Sequence, residues 1–184
     1  MNRRRVAAGH AALGLLPHLL TGSRLLSAPL IVYWIGAGAT RFAAAGLLAA
    51  MLTDFLDGPL IRRFGTPSRA GAYFDVWADF AVIAAAFGGL ASAGMVAAWP
   101  LFPIGLSFAL FLATAGKRPT IYDPVGRSIG GILMASSLVL LTVEDFLVQE
   151  AVLWTSSVAC GITMVGRVAY LLPPRGSPQA YRSY

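Results

Sequence analysis

Charged residues are scarce in this chain of 184 residues, since only 12% are Asp, Glu, Lys or Arg while 57% are hydrophobic. Soluble globular domains carry about 25% charged residues, so this composition excludes an ordinary water-soluble protein. The mean hydropathy of +0.70 points the same way. We therefore expect most of the chain to lie in a lipid bilayer.

Acidic residues are the rarer charge, with eight Asp and Glu against fourteen Lys and Arg, which gives a net charge of +6. A basic chain can bind nucleic acid, but such proteins gather their charge on one polar face. Here the basic residues stand in short segments between apolar runs, so we expect no nucleic-acid partner. Cysteine is nearly absent too, and the single Cys160 excludes an intrachain disulfide.

Six apolar stretches approach the length of about 20 residues that a transmembrane helix needs. They predict an all-α integral membrane fold with spans at about 25–38, 41–61, 72–94, 98–115, 126–143 and 149–172. Residues 1–19 are predicted to form a juxtamembrane segment that lies in the interface or extends the first span. Because no repeat or linker divides the chain, we expect one domain over 1–184, with 173–184 as a disordered tail.

The basic residues between the spans predict how the chain is oriented. With six spans, eleven of the fourteen fall on one side, namely Arg3, Arg4, Arg5, Arg62, Arg63, Arg69, Lys117, Arg118, Arg127, Arg175 and Arg182. The other side receives Arg41 and the acidic residues Glu144, Asp145 and Glu150. We therefore expect a multi-pass protein of the plasma membrane with both termini in the cytoplasm.

Four of the eight acidic residues flank the basic turn between the second and third predicted spans. Asp54 and Asp57 are three residues apart, and Asp75 and Asp79 are four apart, so each pair shares one helix face. The turn brings the two helices side by side, and the four carboxylates can converge there.

Carboxylates inside a membrane cost about 2.5 to 3.5 kcal/mol each and repel one another, so a cluster of them needs positive charge. A divalent cation would supply it, and ligands that are all oxygen favour Mg²⁺ or Mn²⁺, as one or two ions. The alternative is a salt-bridge network with Arg62, Arg63 and Arg69. A cation bound by the four carboxylates also suits a membrane cation transporter.

This segment resembles the signature of the CDP-alcohol phosphotransferase family, D-x-x-D-G-x-x-A-R, eight residues, then G-x-x-x-D-x-x-x-D. The residues in register are Asp54, Asp57, Gly58, Arg62, Gly71, Asp75 and Asp79. One position departs, because Ile61 stands where the family usually has alanine. Upstream, the run of Leu20, Thr21, Arg24 and Pro29 is similar to the start of the family's first helix.

The resemblance implies a membrane enzyme of phospholipid biosynthesis that acts as a homodimer. It would transfer a phosphoalcohol group, most often phosphatidyl, from CDP-diacylglycerol or a similar CDP-alcohol to a hydroxyl acceptor and release CMP. Asp54, Asp57 and Asp75 would ligate the metal with Asp79 beside them, and Asp79 would be the general base. The donor would contact Thr21, Gly58, Ile61, Arg62 and Gly71. An inactive, structural member of the family is the remaining alternative.

Four further basic residues are candidates for binding the acceptor if it carries a phosphate. They are Arg24, Lys117, Arg127 and Arg167. The alternative for Lys117, Arg127 and Arg167 is anchoring to anionic lipid headgroups. The alternative for Arg24 is a side chain that extends its charge to the membrane–water interface. Phosphatidylglycerophosphate synthases usually carry lysine after the last motif aspartate, where this chain has Phe80, so the acceptor alcohol stays open.

Overall fold

The computed structural model describes the backbone of residues 3–64, 69–115 and 124–171 and the side chains of residues 19–56, 71, 73–114 and 128–169. Over this part of the chain the structure contains six helices and no strand, which confirms the predicted all-α class. The helices are α1 (Arg3–Gly36), α2 (Thr40–Phe64), α3 (Arg69–Ser92), α4 (Leu101–Ala115), α5 (Pro124–Thr142) and α6 (Phe146–Leu171).

Three helical segments among the described residues are long and apolar enough to cross a membrane, and they lie in α1, α3 and α6. These segments are Leu19–Gly36, Tyr73–Ser92 and Phe146–Ala169. The apolar segments of α4 and α5, Leu101–Thr114 and Ser128–Thr142, are shorter. The apolar composition thus predicted the class correctly, while a topology of six spans stays a prediction.

The first helix differs from its predicted bounds, because α1 runs without a break from Arg3 to Gly36. The sequence predicted a first span at about 25–38 and left open whether residues 1–19 extend it or lie in the interface. The helix also continues through Pro29, and α2 likewise continues through Pro59 to Phe64. A proline removes one backbone hydrogen bond, and a membrane helix packed against neighbours tolerates this loss.

Glycines end α1 and α3 in the same way. Gly38 has a φ of 71° and Gly94 a φ of 70°, a left-handed conformation that glycine adopts without a steric penalty. The amide of the next residue then bonds back to the helix, from Ala39 N to Trp34 O at 2.8 Å and from Met95 N to the carbonyl oxygen five residues earlier at 3.0 Å. This is the Schellman pattern of helix termination, and both turns lie at one end of the bundle.

The first helix packs against both α2 and α3, α5 contacts α2 and α3 as well, and α6 lies against α4 and α5. The centre is apolar, with Ile31 and Ile35 of α1 and Leu90 of α3 almost fully buried. Gly89 allows the close approach of α1 and α3, because a Cβ atom there would lie 2.9 Å from Ile35 Cδ1. Close contact through small residues is typical of membrane helices.

Large apolar side chains cover the outside of the bundle as well as its centre, and a few polar side chains are buried among them. Large apolar side chains face outward, including Leu26 at 72%, Phe55 at 77% and Phe102 at 75% exposure. Several polar side chains are buried instead, namely Thr21, Arg24, Ser137, Ser156 and Thr163. Outward apolar surface fits a lipid environment, and a polar interior provides partners for charged groups away from lipid.

Candidate metal centre and active site

Three of the predicted metal ligands lie side by side in the bundle. Asp54 comes from α2, and Asp75 and Asp79 stand one turn apart on α3, which packs against α1 beside it. One carboxylate oxygen of each residue lies within 4.8 Å of those of the other two. The helical spacing seen in the sequence therefore corresponds to an acidic cluster of Asp54, Asp75 and Asp79 in the structure.

Arg24 of α1 joins the three carboxylates of this acidic cluster. Its Nη1 donates hydrogen bonds to Asp54 Oδ1 at 2.9 Å and to Asp79 Oδ1, and its Nη2 donates to Asp75 Oδ1. The Arg24 side chain is fully buried, whereas those of Asp54, Asp75 and Asp79 are 40%, 34% and 23% exposed. The guanidinium thus approaches from the protein interior, and the carboxylates open on another side.

Thr21, one turn before Arg24, also contacts the cluster. Its hydroxyl donates a hydrogen bond to Asp75 Oδ1 at 3.4 Å. The resemblance implied that Thr21 contacts the donor, and Arg24 was a candidate for binding the acceptor. Contact of both residues with the aspartates was not predicted. A signal was available, because an arginine within an apolar helix needs an anionic partner. The alternative network of Arg62, Arg63 and Arg69 lies outside the described side chains.

The fifth helix borders the cluster at Gly130, which the sequence analysis did not single out. A Cβ atom at Gly130 would lie 4.0 Å from Asp79 Oδ2. The two oxygens of Asp79 therefore have different surroundings, with Oδ1 on Arg24 and Oδ2 toward α5. Glycine is so common in membrane helices that its presence at this position carried no signal in the sequence.

The ligands of the cluster fit a hard divalent cation. The three carboxylates outnumber the one guanidinium that bonds them, so a divalent ion can balance their remaining negative charge. All three groups offer oxygen, the ligand that Mg²⁺ and Mn²⁺ prefer. Their partial exposure also leaves room for the water molecules that Mg²⁺ retains.

Several predicted site residues have side chains outside the described part of the structure. These are Asp57, Gly58, Ile61, Arg62, Lys117 and Arg127. The backbone of the first four continues α2, that of Arg127 lies in α5, and Lys117 lies outside the described backbone. Gly71 is half-buried in the first turn of α3.

Arg167 of α6 contacts the neighbouring helix α4. Its Nη1 donates a hydrogen bond to Thr114 Oγ1 at 3.2 Å, and its guanidinium carbon lies 4.7 Å from the centroid of the Phe111 ring. A cation above an aromatic face is attracted by the ring, so these contacts orient the side chain.

An aromatic cluster adjoins Asp79 and connects α3 to α4. Phe80 stacks on Phe108 with centroids 3.8 Å apart and ring planes 3° apart. Trp77 meets the edge of the same Phe108 ring at 4.9 Å. The residue after the last motif aspartate therefore packs between helices through its ring.

These features define a class of helical membrane protein in which carboxylates from two helices and an arginine from a third form an acidic site. The CDP-alcohol phosphatidyltransferase family matches residues 14–164, and the chain belongs to this family. The resemblance read from the motif is thereby confirmed.

Three characterised or named proteins are similar in sequence to part of this chain. A CDP-diacylglycerol–glycerol-3-phosphate 3-phosphatidyltransferase of Cereibacter sphaeroides is 33% identical over 56% of this chain and 48% of its own length. A probable phosphatidylglycerophosphate synthase of Mycobacterium tuberculosis is 33% identical over 50% of this chain and 47% of its own. A cardiolipin synthase (CMP-forming)/mitochondrial hydrolase fusion protein of Schizosaccharomyces pombe is 50% identical over 35% of this chain and 11% of its own.

The chain therefore spans about half the length of the two synthases and about a tenth of the fusion protein. No solved structure matches.

Proposed function

We propose that the protein is a membrane enzyme of phospholipid biosynthesis that moves a phosphatidyl group from CDP-diacylglycerol, or a similar CDP-alcohol, to a hydroxyl acceptor and releases CMP. The observation that carries this proposal is the convergence of Asp54, Asp75 and Asp79, three residues of the family motif, within 4.8 Å. Membership of the family and the names of the relatives support it.

The cofactor in this proposal is Mg²⁺ or Mn²⁺, as one or two ions. Asp54 and Asp75 would hold it, with Asp57 as a further ligand and Asp79 beside them. When bound, the metal would neutralise the donor's diphosphate and make CMP a better leaving group. Arg62 is the residue proposed to neutralise the diphosphate from the protein side.

Asp79 is the proposed general base. The acceptor oxygen forms a bond to the phosphorus of the transferred group, the bond from phosphorus to the bridging oxygen of CMP breaks, and the hydroxyl proton passes to Asp79. Because Arg24 bonds Asp79 Oδ1, Oδ2 is the oxygen that would accept the proton. It faces α5 at Gly130, where the absence of a side chain leaves space for an acceptor.

The donor is proposed to bind along the part of the motif between the two aspartate pairs, at Gly58, Ile61, Arg62 and Gly71. Thr21 would act beside it, and its hydrogen bond to Asp75 puts it next to the proposed metal ligands. Ile61 replaces the usual alanine there, so the nucleotide pocket of this protein would be narrower.

The acceptor is proposed to bind through Lys117, Arg127 and Arg167, with the role of Arg24 considered below. The name of the Cereibacter sphaeroides relative contains glycerol 3-phosphate, which makes this compound the first acceptor to test. A phosphorylated acceptor suits arginine, because a guanidinium can bond two phosphate oxygens at once.

A purified-protein assay tests the function directly. CDP-diacylglycerol would be incubated with glycerol 3-phosphate, phosphatidylglycerol, inositol phosphate or serine, and CMP and the lipid product measured together. We expect CMP release that needs Mg²⁺ or Mn²⁺, stops with EDTA and is lost in Asp54→Asn. Arg41→Gln, an exposed change in the first turn of α2, is the control. Metal flux across vesicles without CMP release would instead indicate a transporter, and neither activity would indicate an inactive family member.

The proposed topology has six spans, both termini in the cytoplasm and the acidic cluster toward the cytoplasmic side of the plasma membrane. In a Cys160→Ala background, an impermeant thiol reagent applied to intact cells should label Asp145→Cys but not Ser177→Cys. Labelling in the reverse pattern would refute this orientation. A homodimer is expected from the family and can be tested by crosslinking in membranes.

A further inference from the structure

We infer that Arg24 is a positioning residue of the acidic cluster, a permanent counter-cation that orients the Oδ1 oxygens of Asp54, Asp75 and Asp79 and sets the charge of the cluster for a divalent ion. This inference rests on the proposed metal site. It assigns Arg24 to the aspartates in place of the acceptor.

The geometry is the first support. One planar guanidinium bonds three carboxylates that come from two different helices, and it does so through the same oxygen, Oδ1, of each. A guanidinium holds its N–H donors in a fixed planar arrangement, so Arg24 orients the Oδ1 atoms of the three carboxylates relative to one another.

The way in which α1 holds Arg24 is the second support. The residues of α1 that lie on its buried face recur at helical spacing, and they are Thr21, Arg24, Ala28, Ile31 and Ile35. Arg24 therefore belongs to the face that packs on α2 and α3, and it is not a side chain extended toward an interface. Packing of Ile31 and Ile35 two and three turns away fixes the position of the guanidinium.

Charge is the third support. Ionised carboxylates at this separation repel one another, and Arg24 places one positive charge among them. Arginine keeps its charge at any physiological pH, so this contribution does not depend on proton or metal concentration.

The test compares thermal unfolding of the full chain in detergent, once in EDTA and once with saturating Mn²⁺. For Arg24→Gln we expect the unfolding temperature in EDTA to fall by about 5 °C or more, because the carboxylates lose their common partner. Mn²⁺ should then raise it by at least about twice the shift seen in the unaltered protein, because the ion binds the folded cluster and relieves its repulsion.

Two further variants complete the comparison. Arg24→Lys keeps the charge but lacks the planar fork, so we expect values between those of Arg24→Gln and the unaltered protein. Arg41→Gln removes an exposed arginine from the other end of α2 and should change neither temperature. If Arg24→Gln does not yield folded protein, the inference is decided on Arg24→Lys, with Mn²⁺ binding followed by electron paramagnetic resonance.

Equal Mn²⁺ shifts in Arg24→Gln and the unaltered protein, or an unchanged unfolding temperature in EDTA, would overturn the inference. If only Arg24→Lys can be compared, the inference is overturned when this variant has the Mn²⁺ affinity of the unaltered protein and the same unfolding temperature in EDTA. Failure of the proposed function is visible separately, since it would appear as no Mn²⁺ response and no CMP release in the unaltered protein.

Discussion

The replacement of Asp79 by asparagine tests the proposed division of roles within the acidic cluster. Asparagine has the size of aspartate, and its amide oxygen can still accept the hydrogen bond from Arg24 Nη1. The amide nitrogen would then occupy the place of Oδ2, toward Gly130. This group cannot take a proton from the acceptor, so Asp79→Asn should leave the fold intact and remove the base.

The expected loss is the contribution of general base catalysis, about 10²- to 10⁴-fold in kcat. Donor binding should change much less, because Asp54 and Asp75 still carry two negative charges for the metal. Asp54→Asn is the matched control, since it makes the same change of charge at another partner of Arg24. For Asp54→Asn, however, we expect metal affinity and donor affinity to fall together, because it is a proposed ligand.

Two measurements distinguish the variants, namely calorimetric titration of CDP-diacylglycerol at saturating Mg²⁺ and the rate of CMP release. Near-normal turnover by Asp79→Asn would show that Asp79 is not the base. Loss of donor binding as complete as in Asp54→Asn would make Asp79 a metal ligand instead. Either outcome would leave the cluster in place and reassign its chemistry.

Three further predictions concern packing, the acceptor and the metal. Gly89→Leu should reduce the free energy of unfolding by about 1–3 kcal/mol through overpacking against Ile35, and the unfolding temperature should fall with it. Gly88→Ala should leave that temperature unchanged, because a Cβ atom at Gly88 meets nothing within 4 Å. Equal unfolding temperatures for the two variants would refute the close approach of α1 and α3. Arg167→Gln should raise the KM of a phosphorylated acceptor about 10- to 100-fold by loss of a charge-assisted bond, and an equal rise for the donor would contradict its assignment. Activity removed by EDTA should return with Mg²⁺ or Mn²⁺, and recovery without either ion would contradict the metal requirement.

The helices were predictable because an apolar run indicates a helix, and the charged residues and glycines that follow it indicate where the helix ends. Both are properties of neighbouring residues in the sequence. The third span was predicted at 72–94, and α3 covers Arg69–Ser92. The start of α1 was not predictable in the same way, since residues 1–19 are equally compatible with a separate interfacial helix. The continuity of α1 depends on backbone hydrogen bonds, which cannot be predicted from the pattern of apolar residues.

The acidic cluster was partly predictable because its spacing is a property of single helices. Asp75 and Asp79 share a face at a separation of four residues, and the sequence predicts that α2 and α3 lie side by side, which puts Asp54 near them. The contact with Arg24 spans 30 to 55 residues of sequence and arises only when α1 packs against both α2 and α3. The same holds for Gly130, whose approach to Asp79 requires α5 to lie beside α3.

The position of the cluster along the helices bears on how two unlike substrates would meet. Asp54 lies ten residues before the end of α2 and Asp79 ten residues after the start of α3, which is about 15 Å from each helix end. The carboxylates are nevertheless partly exposed. A lipid-linked donor has its diphosphate at the depth of the headgroups, and a polar acceptor must arrive from water. Carboxylates that lie below the helix ends but are partly exposed would be open to both proposed substrates, while the fully buried Arg24 bonds them from the protein interior.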